Sequence, residues 1–377
     1  MSLLAGAAGW SPPPYPYDRL DRYKQLAAAH DGGLVDLSIG TPCDPPPAAV
    51  VEALRTSDAE RGYPTSIGSP ALRAAAATWI RRRFGVAVDA ESEVAACVGT
   101  KEFVATLPQW LRLRSPDRDT VLYPAVSYPT YAMGAELAGC RAVAVPCDAD
   151  WRIDLSAVAE TDAARALCLW VNTPGNPAGG LDDLAAAAGW GRRLGVPVFS
   201  DECYVEFTWQ GPGRTILSDG LDGVVAVHSL SKRSNLAGLR VGFYAGDPSL
   251  VSYLSEVRKH VGLMVAGPVQ AAAAVALGDD DHVGEQRARY LERLTFVVDL
   301  LGRLGVEASV PAGAFYLWVT VPGGDAWAFT ERLAVDGGVL VTPGDTFGPA
   351  GAGYVRIAMV QSLDRLELAA RRLGVAG

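Results

Sequence analysis

The sequence predicts an α/β protein with a largely parallel sheet, followed by a smaller α+β domain. Across residues 46–265, short apolar runs of strand length alternate with amphipathic stretches of helical length, the pattern of a parallel sheet with crossover helices. Near residue 265 a helix-rich stretch begins, and two further apolar runs follow it. The chain has 377 residues, which leaves room for two domains at roughly 150 residues each.

The predicted elements follow in chain order. An arm rich in proline and tyrosine covers residues 1–45, and we expect it to form part of the small domain. The large domain, residues 46–265, has predicted strands at 120–123, 142–145, 166–171, 196–200 and 224–228. The C-terminal small domain, residues 266–377, has predicted strands at 313–319 and 354–358. It opens with a helix at Pro268, because proline is favourable in a first helical turn.

Composition excludes several classes of protein. Hydrophobic residues make up 49% of the chain and charged residues 20%, which excludes a disordered chain and a coiled coil. With 33 basic against 42 acidic residues the net charge is -9, which argues against nucleic acid as a partner. The six cysteines include no C-x-x-C pair, so we expect free thiols in a reducing cytoplasm and no bound metal. We expect neither an export signal in the first ten residues nor a membrane span.

Lysine is rare, and the chain contains only Lys24, Lys101, Lys232 and Lys259. Chemistry that needs an amine therefore has four candidates. Lys24 lies in the polar arm and Lys259 in a charged helix, so both are expected to be solvated surface residues. Lys101 and Lys232 remain.

The stretch V-G-T-K-E-F at 98–103 places a glycine turn before a predicted helix. Free backbone N–H groups at such a helix start bind anions, phosphate in particular. Most Gly-Thr helix starts bind nothing, so this motif alone is weak evidence.

The stretch N-T-P-G-N-P-A-G at 172–179 follows the predicted strand 166–171. Open α/β sheets bind ligands at the carboxyl ends of their strands, and an asparagine held there can donate to a ligand oxygen. An Asx-rich turn with no ligand is the alternative.

Two further motifs follow predicted strands. In V-F-S-D-E-C-Y at 198–204, Asp201 comes just past an apolar strand and Tyr204 lies three residues on. A carboxylate in that place could simply cap the next helix. In S-L-S-K-R-S-N-L-A-G-L-R at 229–240, Lys232 follows the next strand, so we expect it to face the same crevice as Asp201.

Together these features match the requirements of pyridoxal phosphate: a Schiff-base lysine, an acid on the pyridinium nitrogen, donors to the ring hydroxyl and an anion cradle. Lys232 is the expected lysine and Asp201 the expected acid. Asn176 and Tyr204 would bind the ring oxygen. Tyr128, in P-A-V-S-Y-P-T-Y, could stack on the ring, although packing is the other reading of a tyrosine beside a proline.

Arg356 lies in the short apolar strand Y-V-R-I-A, where an unpaired guanidinium is costly. It needs a carboxylate partner. A structural aspartate could serve, but a bidentate clamp on a substrate α-carboxylate fits an enzyme of amino acids better.

These motifs resemble the class I/II aminotransferases, fold-type-I pyridoxal phosphate enzymes, over nearly the whole chain. The resemblance implies a mostly parallel seven-stranded sheet with helices on both faces, and a homodimer with its sites at the interface. It also implies roles for particular residues, with Lys232, Asp201 and Tyr204 as catalytic residues. The phosphate would be bound by Gly99, Thr100, Lys101, Ser229 and Arg240, and Tyr63 would reach the phosphate of the partner subunit. Asn176 and Tyr128 would hold the cofactor ring. The substrate would be bound by Gly40, Asn176 and Arg356.

Within that family, the stretches G-T-K-E-F-V-A-T-L-P and H-S-L-S-K-R-S-N-L-A-G-L-R-V-G-F look like those of succinyldiaminopimelate aminotransferases of lysine and cell-wall biosynthesis. The loop T-P-G-N-P-A-G and the stretch G-A-F-Y-L-W depart from the commoner forms. The resemblance implies ping-pong transamination, in which glutamate donates its amino group, 2-oxoglutarate leaves and N-succinyl-2-amino-6-oxopimelate is aminated. Lys232 would be the general base.

Three alternatives remain open. An aminotransferase for aspartate or an aromatic amino acid would carry the same cofactor motifs. A lyase of the same fold would eliminate a β- or γ-substituent and would turn over with an amino donor alone. A non-catalytic sensor built on this fold usually carries a DNA-binding module, for which this chain has neither the length nor the charge.

Overall fold

The computed structural model describes residues 10–375 of the chain. The stretch in which we expect no export signal therefore lies almost entirely outside the described residues. Within them the helices are α1 Asp21–Ala28, α2 Ala48–Thr56, α3 Pro70–Phe84, α4 Thr100–Arg114, α5 Thr130–Leu137, α6 Glu160–Arg165, α7 Leu184–Leu194, α8 Leu230–Arg233, α9 Pro248–Val261, α10 Gly267–Gly278, α11 Asp281–Arg303, α12 Ala326–Gly337 and α13 Leu363–Arg372.

The strands make up one large sheet and two small ones. They are β1 Val35–Asp36, β2 Val94–Cys97, β3 Thr120–Pro124, β4 Arg141–Val145, β5 Ala166–Asn172, β6 Val198–Asp201, β7 Val224–Ser229, β8 Gly242–Gly246, β9 Tyr316–Thr320, β10 Val339–Leu340, β11 Thr342–Pro343 and β12 Tyr354–Ala358.

The large sheet has seven strands in the order β2-β8-β7-β6-β5-β3-β4. Strands β3 to β7 pair in parallel, while β8 runs antiparallel to both of its neighbours. This confirms the predicted α/β class and the mostly parallel sheet. The five strands predicted in this domain all form, with ends that differ from the prediction by one or two residues.

Helices cover both faces of this sheet, because successive side chains of a strand point to opposite sides. Val198 of β6 packs in the core formed with α2, α3, α7 and α10, whereas Phe199 packs in the core formed with α4, α5 and α9. Strand β5 is buried along its whole length, as expected for a central strand covered on both faces.

The two smaller sheets contain strands from the N-terminal arm and from the C-terminal part of the chain. Strands β11, β12 and β9 form an antiparallel sheet, and β1 of the N-terminal arm pairs in parallel with β10. Helix α10, which we assigned to the C-terminal domain, packs on α2 and α3 and contributes to the core of the large sheet. The domain boundaries themselves stay a prediction.

Strand β9 begins three residues later than the sequence predicts. Ala314 has φ +62°, a left-handed conformation that does not continue a strand and that residues with a side chain rarely adopt. The chain turns there, and the main-chain N–H of Trp209 donates to the carbonyl of Ala312. The regular ladder with β12 therefore starts only at Tyr316, which pairs with Ala358.

Two of the expectations from composition concern membrane-spanning helices and the cysteines. Across residues 10–375, no helix is both long enough and apolar enough to cross a membrane. The six cysteines are free thiols, and Cys97 and Cys168 are buried.

A buried ion pair joins the segment after β1 to α11. Both guanidinium Nη atoms of Arg293 donate to the carboxylate of Asp44, each at 2.7 Å, and the side chains are only 5% and 12% exposed. Burial alone would raise the pKa of Asp44, but the hydrogen bonds from Arg293 and Gln286 lower it below the usual value.

We therefore expect Asp44→Asn to destabilise the fold by about 3–5 kcal/mol, because Arg293 is left buried without a counter-charge. The measurement is the free energy of unfolding in urea at neutral pH. Since the pKa of Asp44 is lowered, its contribution is present above the usual carboxyl pKa, and the difference between the two proteins should shrink as the pH falls through the lowered value. Glu52→Gln, in the exposed pair with Arg55, is the control and should change stability by less than about 1 kcal/mol. Equal effects of the two substitutions would contradict the analysis.

Candidate active site

The carboxyl ends of β5, β6 and β7 open onto a cavity of about 410 Å³. Asn172 at the end of β5 is in register with Asp201 at the end of β6, so the parallel pairing itself brings the two predicted loops together. The cavity is lined by all but two of the predicted site residues: Gly40, Thr100, Lys101, Tyr128, Asn176, Asp201, Tyr204, Ser229, Lys232, Arg240 and Arg356.

Gly99 and Tyr63 are the two that do not line it. Gly99 lies directly behind Arg240, and a side chain built on it would collide with that guanidinium, 2.9 Å from Cζ. Tyr63 is 99% exposed and lies away from the cavity.

Lys232 stands on α8, the short helix that follows β7. The hydroxyl of Ser229 accepts a hydrogen bond from the main-chain N–H of Ser231 at 3.1 Å and so caps this helix. The Nζ atom of Lys232 donates to the carbonyl of Gly40. Burial, assisted by the charges of Arg356 and Arg240, lowers the pKa of Lys232 to about 8. A substantial fraction of this amine is therefore neutral, and nucleophilic, near neutral pH.

Asp201 is held at the bottom of the cavity. Its Oδ2 atom accepts from the hydroxyl of Tyr131 at 2.9 Å, and Oδ1 accepts from the main-chain N–H of Cys203 at 3.2 Å. The amide of Asn172 donates to the main-chain carbonyl of Asp201 at 2.8 Å. Asp201 is 7% exposed, and burial raises its pKa.

Asn176 is fixed from both sides. Its main-chain N–H donates to Asn172 Oδ1, and its Oδ1 accepts from Nη1 of Arg356, each at 2.8 Å. Its amide nitrogen has no acceptor among residues 10–375, so those N–H groups are available to a ligand oxygen.

Arg356 is 2% exposed and lies between the rings of Tyr316 and Phe347, with Cζ 4.4 and 4.5 Å from their centroids. Its Nη2 atom contacts the hydroxyl of Tyr17 at 3.2 Å and donates to the carbonyl of Ser38. Within the described part of the chain it has no carboxylate partner, and its Nε atom is buried without an acceptor. The structural aspartate considered above is therefore absent from these residues.

The anion cradle forms at the start of α4. Gly99 has φ +75°, which favours glycine, and no described side chain caps the first turn, whose residues Thr100 and Lys101 line the cavity. Thr100 Oγ1 accepts from Cys203 Sγ at 3.3 Å. The side chain of Lys101 turns away from the cradle, and its Nζ donates to the hydroxyl of Tyr15 at 3.2 Å.

Several lining residues were missed by the sequence analysis. Tyr15 and Tyr17 come from the arm, and nothing local distinguishes them from Tyr23, its other tyrosine. Tyr316 contacts Tyr204, with 2.9 Å between the hydroxyl oxygens. Its place in β9, two residues before Trp318 on the same face, is a pattern that could have drawn attention to it. Tyr131, three residues after Tyr128, was also missed; it does not line the cavity but bonds to Asp201.

The whole of this architecture matches one family. The family model for aminotransferase class I and II matches residues 33–373.

This chain is a class I and II aminotransferase.

Individual relatives are named for different substrates. The chain is 42% identical to the 4-dedimethylamino-4-oxo-anhydrotetracycline transaminase OxyQ of Streptomyces rimosus, over 96% of this chain and 99% of that protein. It is 35% identical to the LL-diaminopimelate aminotransferase of Aquifex aeolicus, over 96% of each. Among solved structures, the probable N-succinyldiaminopimelate aminotransferase of Thermus thermophilus superposes with a TM-score of 0.86 at 33% identity, over 96% of this chain and all of that one.

Enzymes of this family depend on pyridoxal phosphate, and so does this aminotransferase. The cavity has the groups that the cofactor needs. A lysine amine of lowered pKa, a buried acid and an uncapped helix start beside Arg240 all open on it. The glycine at 99 leaves room for Arg240 where a side chain would fill the cradle.

Because the pKa of Lys232 is lowered to about 8, we expect the rate at which pyridoxal phosphate binds covalently to the apoenzyme to rise with pH and to level off above that value. The neutral amine is the nucleophile, so the rate follows its fraction. The measurement is the rise of the cofactor absorption band after mixing, followed by borohydride reduction and peptide mapping. Label on Lys101, or a rate still rising at the pH where an ordinary lysine titrates, would contradict this assignment.

Proposed function

We propose that this aminotransferase transfers the amino group of glutamate to N-succinyl-2-amino-6-oxopimelate, forming N-succinyl-LL-2,6-diaminopimelate and 2-oxoglutarate. The observation that carries the proposal is Arg356, a buried guanidinium in the cavity without a carboxylate partner among the described residues. Such a group is costly unless a ligand supplies the charge, and both substrates have an α-carboxylate.

The remote end of the substrate has a partner in Lys101. Lys101 is an exposed residue whose ammonium group lines the same cavity, where it contacts the hydroxyl of Tyr15 at 3.2 Å and the face of that ring at 4.9 Å. It has no carboxylate partner within residues 10–375. A second cation at the cavity wall favours a substrate with two carboxylates, as glutamate and the succinylated compound both have.

The resemblance to the structure from Thermus thermophilus supports this choice among the family's substrates. The likeness to LL-diaminopimelate aminotransferases supports the diaminopimelate part of the substrate and does not distinguish the succinylated from the unsuccinylated compound. A second candidate follows from the 42% identical relative, whose name specifies an oxo-anhydrotetracycline. That substrate class is a polycyclic ketone, and it would be selected by the aromatic side chains of the cavity.

In the proposed site, Asn176 and Tyr204 would donate to the ring oxygen of the cofactor, and Tyr128 would lie against its ring. The α4 start, Ser229 and Arg240 would hold its phosphate, and Asp201 would keep the ring nitrogen protonated. The bound cofactor would supply an electron sink for the α-carbon of the amino acid. Lys232, whose pKa is lowered, would be the base that takes the α-proton and returns it during the transfer.

Two further parts of the proposal concern the assembly. From the family resemblance we expect a homodimer in which Tyr63, 99% exposed in the single chain, reaches the phosphate of the partner's site. We place the enzyme in the cytoplasm, where its six thiols would stay reduced.

The clamp is tested with Arg356→Lys, which keeps the charge and loses the planar fork. Binding of glutamate and of the oxo acid should each weaken by about 1.5–3 kcal/mol, the scale of a hydrogen bond to a charged group. The measurement is the Michaelis constant for both substrates, with Arg55→Lys on the surface as the matched control. Unchanged constants for both substrates would mean that Arg356 is structural.

Substrate choice is tested by comparing kcat/KM for N-succinyl-diaminopimelate, unsuccinylated diaminopimelate, aspartate and an aromatic amino acid, with 2-oxoglutarate as acceptor. We expect the succinylated compound to be preferred by about 10- to 100-fold over aspartate, because aspartate cannot reach the far cation. Lys101→Gln should remove most of that preference.

Other outcomes separate the alternatives. A preference for aspartate, the aromatic amino acid or unsuccinylated diaminopimelate refutes the succinyl substrate and leaves the aminotransferase assignment intact. Amination of an oxo-anhydrotetracycline with none of the four amino acids active would favour the polycyclic ketone. Continuous turnover with an amino donor alone would indicate a lyase, because a transaminase stops after one half-reaction.

A further inference from the structure

The carboxylate of Asp201 is buried without a cation beside it. Its described hydrogen bonds come from the Tyr131 hydroxyl at 2.9 Å and the main-chain N–H of Cys203 at 3.2 Å. The other titratable groups close enough to couple with it electrostatically are the thiols of Cys97 and Cys203 and the carboxyl of Glu202. All three would repel its charge when ionised. Burial keeps the thiol of Cys203 protonated, and in that form it adds to the two direct hydrogen bonds in favouring the ionised carboxylate.

Tyr131 is the side chain that makes one of the two direct hydrogen bonds. It lies in the first turn of α5, is fully buried, and its hydroxyl has no other partner among residues 10–375. Its ring meets Tyr128 edge to face at 6.2 Å and 87°, and Trp170 at 5.2 Å. One residue therefore contacts both the acid of the site and the tyrosine expected to stack on the cofactor. Burial, together with Asp201, raises the pKa of Tyr131 well above its usual value, so the hydroxyl keeps its proton and remains a donor.

We propose that Tyr131 is a positioning residue that fixes the carboxylate of Asp201 and favours its ionised form, and through it the protonated ring nitrogen of the bound cofactor. The inference rests on the proposed role of Asp201. A tyrosine that only fills the core would pack equally well as phenylalanine, whereas this one directs its single hydrogen bond at the acid.

The first test is Tyr131→Phe in the holoenzyme, with Tyr244→Phe as the matched control. Tyr244 is equally buried in the same core, and its hydroxyl bonds to Ser255 at 3.1 Å instead.

Tyr131→Phe should lower kcat by about 10- to 100-fold with little change in KM, the range for losing a hydrogen bond to a charged group. The dissociation constant of pyridoxal phosphate from the apoenzyme should rise. The pH at which the absorption band of the bound cofactor changes should also move upward, because a less positive ring favours protonation of the neighbouring nitrogen. The control should show none of these changes.

The second test asks whether Tyr131 acts through Asp201. Substituting Tyr131→Phe in an Asp201→Asn background should change neither the cofactor dissociation constant nor the absorption midpoint further, because the group it serves is gone. Equal additional losses in both backgrounds would show a packing role and overturn the inference. If Asp201→Asn alone changes none of the three readouts, the proposed role of Asp201 fails, a result distinct from failure of Tyr131.

A fluorinated tyrosine at position 131 covers the case in which the phenylalanine variant does not fold. Fluorine makes the hydroxyl a stronger donor with little change in size, so the absorption midpoint should move downward. No movement with a folded fluorotyrosine enzyme would overturn the proposal.

Discussion

Desolvation of charge is the constraint on which the site depends. Asp201 and Arg356 are buried and Lys232 is partly buried around one cavity, and the described structure pairs none of them with an opposite charge. Each is instead held by neutral hydrogen-bonding groups: the carbonyl of Gly40, the hydroxyl of Tyr131 and the amide of Asn176. The fold carries an electrostatic cost that a cofactor and a substrate with complementary charges would relieve. The cavity is therefore preorganised for ionic ligands rather than for apolar ones.

The parallel sheet brings the residues of the cavity together. Parallel strands β5, β6 and β7 end at one edge, so residues far apart in sequence arrive together without any long-range signal of their own. That is why most of the site could be predicted: Asn176, Asp201 and Lys232 each follow an apolar run, and periodicity is enough to locate such runs. Periodicity predicted five strands of the large sheet, and the number seven was expected only from the family that the motifs resemble.

What could not be predicted comes from elements that meet only in the folded chain. Tyr17 reaches Arg356 from the arm, and Tyr316 reaches Tyr204 across the small sheet. Tyr17 has no local pattern in the sequence, and the alternation of Tyr316 with Trp318 indicates a shared face of β9 but not the partner that Tyr316 meets there. The delayed start of β9 at Ala314 was missed because β-propensity does not reveal a residue with positive φ. Lys101 was predicted only in part. Its main chain lies at the start of α4, as the motif predicts, but its side chain contacts Tyr15.

The pairing of β1 with β10 has a consequence for how the enzyme is made. The hydroxyl of Thr342 donates to the carbonyl of Ser38, 304 residues away, and Arg356 donates to the same carbonyl. A ribosome releases the arm first and these partners nearly last, so the arm waits unpaired through most of synthesis while the central sheet can already assemble. Loop closure of this length slows folding more than it weakens the final state. Arg356 and the arm thus come together only at the end of translation, and a nascent chain that stalls earlier can form the large sheet without completing this wall of the cavity.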